Sequence, residues 1–166
     1  MPSRDRSTSP REIRNFAALQ LGLTGAFLVA LFWICGGRDA DYPPTWLAIA
    51  LVLPLFLAAF FAERVWLSGK PLSPDADAFQ VQADALDAFT SQTLRKMLYV
   101  EAAMLPAVIV AFVGSYGAWP IVIVGFPGIL LLAWEIWPTL RNVARAAVML
   151  ESKGTTSGLV DGFNAL

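Results

Sequence analysis

Three carboxylates set the range of chemistry open to this chain: Glu63, Glu101 and Glu135, each within or at the end of a long apolar run. Glu101 is the most telling. Its neighbours at helical spacing are Met97, Leu98, Met104, Leu105 and Val108, so its own helix surrounds it with no polar stripe. A carboxylate inside hydrocarbon costs about 2.5–3.5 kcal/mol on insertion scales and marks a functional position by default. Proton or cation handling is the chemistry such a group does. Arg95 and Lys96 stand about one turn before it, so the spacing also predicts an ion pair at the membrane edge. A helix beginning near Met97 would favour the charge through its amino-terminal dipole. Glu63 and Glu135 fall at similar depth, and with Arg64, Arg95, Lys96 and Arg141 the three carboxylates are expected to gather in one layer. The expectation is an ion-pair network holding the helix ends, with a proton or cation site as the functional alternative.

Missing residue types narrow the chemistry further. Histidine is absent and Cys35 is the one cysteine. Haem ligation through His, His-ligated zinc and imidazole-dependent nucleophiles therefore lack their essential group. Paired-thiol redox chemistry lacks its second cysteine. No catalytic residue, metal site or cofactor is expected. A net charge of −1 and the lack of a glycine-rich phosphate loop argue against a nucleic-acid partner.

The elements that must position these groups are membrane helices. The chain has 166 residues, of which 57% are hydrophobic and 15% charged, against roughly 45–50% and 25% in soluble domains. The apolar excess falls in blocks near the ~20 residues that cross a bilayer. Hydropathy and breaks place spans at about 16–35, 45–66, 97–114 and 118–138. Gly36 and Gly37 close the first, and Trp46 and Trp66 bracket the second at headgroup level. Ser115, Tyr116 and Gly117 leave only a tight turn between the third and fourth. The first span has no small-residue cleavage site after it, so it reads as a retained helix rather than a signal peptide.

Two further segments are amphipathic. Residues 75–95 place Phe79, Ala83, Leu86 and Phe89 at helical spacing, in a helix that lies on the membrane surface or runs straight into the third span. Residues 139–152 carry Arg141 and Arg145 one turn apart, facing anionic lipid headgroups. Gly154 is expected to stop that helix, with a flexible end beyond it.

Orientation follows from the basic residues. With four spans, one side holds Arg4, Arg6, Arg11, Arg14, Arg64, Lys70, Arg95, Lys96, Arg141, Arg145 and Lys153, and the other holds Arg38 alone of the 12. The positive-inside rule puts the first side in the cytoplasm. The expected fold is an all-α integral membrane four-helix bundle of two antiparallel hairpins. Both termini and the amphipathic helices are cytoplasmic, and the setting is a bacterial inner (plasma) membrane.

Small residues recur every fourth position in two spans: Ala18, Gly22, Ala26 and Ala30, then Ala103, Ala107, Ala111 and Ser115. Gly125 and Gly128 make a shorter version in the fourth span. Such stripes let helix backbones approach closely. Packing within the chain is expected, with contact to another subunit, or to a second copy, as the alternative. Gln20 is expected to make a helix-to-helix hydrogen bond.

The run TLRKMLYVEAAMLPAVIVAFVGSY, the span ending EIWPTLRNVARAAVMLESKG and the ending LVDGFNAL resemble small four-helix membrane proteins of high-GC actinobacteria, over about residues 92–166. The resemblance implies a four-helix membrane fold. The element Glu101, Ala102, Ala103 and Pro106 also resembles the proton-carrying helix of rotary ATPase ring subunits. Those rings hold the carboxylate near mid-membrane, whereas Glu101 falls closer to the edge, and the function is not carried over. The functional expectation is a non-enzymatic accessory, assembly or scaffold subunit of an inner-membrane complex. The alternative is a small homo-oligomeric proton- or cation-coupled transporter or channel using Glu101.

Overall fold

A computed structural model describes residues 9–37 and 39–165. Arg4, Arg6 and Arg38 of the orientation argument lie outside them. The described residues are helical and contain no strand.

Helix α1, Pro10–Ile34, begins earlier than hydropathy suggests because a capping box starts it. The Ser9 hydroxyl accepts from the Glu12 backbone N–H (3.2 Å), and the Ser9 N–H donates back to Glu12 Oε2 (2.8 Å). Pro10 at the first position costs no hydrogen bond. Gly36 and Gly37, at φ of 82° and 64°, end it. Helix α2 spans Thr45–Val65 and tightens into a 3-10 turn at Trp66–Ser68. Helix α3 is continuous over Ala78–Val113, with Asp77 capping Gln80 N–H at 2.8 Å. The amphipathic segment therefore runs straight into the third span. Its 36 residues reach about 54 Å at 1.5 Å per residue, well beyond a ~30 Å hydrocarbon core. Helix α4 covers Trp119–Ile136, α5 Leu140–Leu150 and α6 Leu159–Asn164.

Four helices are long and apolar enough to cross a membrane: α1, α2 with its 3-10 turn, α3 and α4. Together they mark a multi-pass membrane protein. Their outer surfaces carry exposed Leu19, Phe27, Ile49, Phe56, Ile109 and Phe126, as expected when the solvent is lipid.

Helix α3 is central, packing on α2 and α4, while α1 lies mainly against α4. Two main cores stack along it. One joins Ala17, Leu51, Leu55, Val100, Met104, Val124 and Leu132. The other joins Trp66, Val81, Leu86, Phe89, Val143, Leu150 and Phe163. At Gly128 an added Cβ would lie 2.5 Å from Met104 Sδ, so any side chain there would displace Met104 where α4 meets α3.

Two expectations change. The end beyond Gly154 is ordered: Ser157 donates to Glu151 through backbone and hydroxyl (2.8 and 2.6 Å), and α6 buries Leu159 and Phe163 in the second core. The Phe163 ring packs at a tilt on Phe89, centroids 5.4 Å apart, and that contact, absent from any local pattern, holds the segment. Phe79 is 75% exposed. Leu86 and Phe89 of the expected face are buried, and Val81 and Ala85 complete the inward face of α3 where Phe79 does not.

Candidate functional site

Of the expected layer of charge, two ion-pair groups lie side by side, linked where Arg141 donates to Asn142 Oδ1 at 3.3 Å and the Asn142 amide donates to the Glu135 carbonyl at 3.3 Å, while Glu101 is held elsewhere. Glu63, at the end of α2, pairs with Arg141 and Arg145 of α5. The helical spacing of the two arginines lets both reach one carboxylate. Arg141 also lies over the Trp134 ring at 4.8 Å. Both guanidiniums proposed to meet lipid headgroups are thus already engaged by a protein carboxylate. Arg64 turns instead to the Phe60 ring at 4.1 Å, and Arg95 is exposed.

Glu135 pairs with Lys96 at 2.5 Å, and both side chains are sealed from solvent. Lys96 Nζ also sits 3.8 Å over the Trp66 ring. This lysine was expected at the membrane edge. It is buried because Phe89, Gln92, Thr93, Lys96, Val100 and Ala103 share the inward face of α3. Buried charges persist when they are paired and hydrogen-bonded. Beside them Asn142 spans the break between α4 and α5. Its amide donates to the carbonyls of Trp134 (2.9 Å), Glu135 (3.3 Å) and Trp137 (2.9 Å). The first two lie in the last turn of α4, where carbonyls lack helical partners. Asn142 and Lys96 escaped notice as inward-facing residues; the inward period of α3 and the Pro138–Thr139 break were the available signals.

Glu101 stands apart from both ion-pair groups. Among the described residues it makes no ion pair. Its Oε1 accepts from Gln20 Nε2 at 2.7 Å and from Thr24 Oγ at 3.1 Å. Both donors lie on α1, one turn apart, so the polar surroundings missing from α3 come from the neighbouring helix. The three polar side chains open on a cleft of about 310 Å³ between α1 and α3. Leu23, Phe27, Leu28, Met104, Leu105 and Val108 form its apolar walls.

The small-residue stripes behave differently from each other. Ala103, Ala107 and Ala111 are buried in the interior, while Ser115 at the turn is exposed. Ala18, Gly22, Ala26 and Ala30 all face outward, and an added Cβ at Gly22 would meet nothing within 4 Å. The α1 stripe therefore makes no packing within the chain. Leu28 of α1 approaches Gly125 of α4 from a different face, 3.2 Å from where a Cβ would stand.

No group of three or more acidic or cysteine side chains able to hold a metal ion occurs among the described residues. No known protein family, no curated protein and no solved structure matches this chain.

Proposed function

We propose that this chain is a non-enzymatic accessory or assembly subunit of a larger inner-membrane complex. It is threaded as two antiparallel hairpins with both termini in the cytoplasm. The positive-inside distribution supports the threading.

The observation that carries the reading is the outward face of α1. Of its 25 residues only Ile13, Ala17 and Leu31 are buried, and Ala18, Gly22, Ala26 and Ala30 lie exposed along one side. In lipid, helices associate through close van der Waals packing and hydrogen bonds, since burial of apolar surface gives no advantage. The occupant that suits this face is a transmembrane helix of a different subunit. Purification from native membranes in mild detergent, followed by mass spectrometry, is expected to yield a stoichiometric membrane partner. Gly22→Leu should release that partner while leaving the thermal melt of the chain unchanged. A clean homo-oligomer, or a partner retained by the variant, overturns the reading.

A second reading is favoured by Glu101, whose carboxylate is held by neutral donors at an open cleft. In it a homo-oligomer of the chain moves protons or cations. The purified protein reconstituted alone would then support flux that Glu101→Gln abolishes; unchanged flux in the variant removes it.

A further inference from the structure

We infer that the cleft between α1 and α3 is a binding site for a lipophilic organic cation, a single positive centre on an apolar body, with Glu101 as its counter-charge. The site needs only binding and stands whether or not the chain transports anything.

Three features of the cleft select this class. The first is charge. Glu63 and Glu135 each have basic partners, whereas Glu101 has none among the described residues. Gln20 and Thr24 converge on Oε1, and no described hydrogen bond reaches Oε2. Both donors are neutral and bring no counter-charge, so a positive group at the cleft gains an unshared partner.

The second is the lining. Apart from Gln20, Thr24 and Glu101, the walls are aliphatic, aromatic or thioether. A volume of about 310 Å³ falls at the lower end of the range for small-molecule sites. Phe27 adds an aromatic ring to the wall, a group whose face attracts cations. Calcium and magnesium take six or more oxygen ligands, and three polar side chains, two of them donating to the third, do not supply them.

The third is access. Leu23, Phe27 and Leu105 at the rim are each 57% exposed, on helices whose outer surfaces are apolar. A ligand entering there arrives through the lipid phase. A hydrated ion has no favourable route of that kind, whereas a cation with a bulky apolar shell partitions into the bilayer and meets the carboxylate directly.

Titration of the full chain in detergent with tetraphenylphosphonium, followed by calorimetry, tests the site. Saturable one-to-one binding is expected. Glu101→Gln preserves shape and hydrogen bonding while removing the charge, and should weaken binding about tenfold or more. The double change Gln20→Leu with Thr24→Val should weaken it less, since the charge remains. Tetraphenylborate, of the same shape and opposite charge, should show no binding that depends on Glu101. Circular dichroism melts of each variant confirm that it is folded. Equal affinity in wild type and Glu101→Gln, or no saturable binding by the folded wild type, overturns the proposal.

Discussion

Lys96 shows how far burial can alter the meaning of a residue. Beside Arg95 it reads as one of a pair of basic groups marking the membrane edge. In the folded chain Arg95 is exposed while Lys96 is enclosed, 2.5 Å from Glu135 and over the Trp66 ring. Removing one partner of such a pair strands a buried charge and costs about 3–5 kcal/mol, whereas replacing both by apolar groups of similar volume is often close to neutral. Lys96→Met and Glu135→Leu are each expected to lower stability by about that amount, with the double variant recovering most of it. Unfolding in detergent across the four-member cycle measures this. Additive losses would mean that the pair is not coupled. Glu101 should behave differently, because its partners are neutral donors at an open cleft. Glu101→Gln is expected to change ligand binding more than stability.

Among the elements, α1 and α6 depart most from what their local patterns suggest. Helix α1 has a small-residue face suited by its spacing to intramolecular packing, yet the chain turns it outward and buries Ile13, Ala17 and Leu31 instead. Helix α6 is only six residues long, too short to be stable alone. It folds because Leu159 and Phe163 complete a core already built by Trp66, Phe89, Val143 and Leu150. Phe163→Ala should therefore destabilise the whole of that core, by about 3 kcal/mol, and open the carboxy-terminal segment to protease. A variant that melts like wild type and resists cleavage at residues 152–158 would show that α6 adds nothing. Gly125 and Gly128, by contrast, were visible as close-packing positions, since the absence of a side chain is a local property.

At the scale of the whole molecule, the proposed threading puts Cys35 at the face opposite both termini. It is the sole cysteine and is partly exposed, so it serves as a native reporter. A membrane-impermeant maleimide should label it from the outer side of intact cells. In a cysteine-free background, Ser152→Cys should label only after permeabilisation. The reverse pattern would invert the topology and put the basic residues outside. The loops at the Cys35 end are tied together independently of any membrane: Ala118 N–H donates to the Gly37 carbonyl (3.0 Å), and Trp119 Nε1 donates to that of Ala40 (3.1 Å).

The sequence alone determined the number of apolar spans, the breaks between them and the asymmetry of basic residues. Those follow from chain length against bilayer thickness, from glycine and proline, and from counting. It also singled out Glu63, Glu101 and Glu135, because a carboxylate is conspicuous among apolar neighbours. Only the tertiary structure decided what each carboxylate faces. Glu63 meets Arg141 and Arg145, Glu135 meets Lys96, and Glu101 meets Gln20 and Thr24 across a sequence separation of about 80 residues. The physical reason is that periodicity gives each helix its faces but not its rotation against a neighbour. In an apolar solvent that rotation is set by side-chain packing and the pairing of buried polar groups, and both depend on residues far apart in the chain.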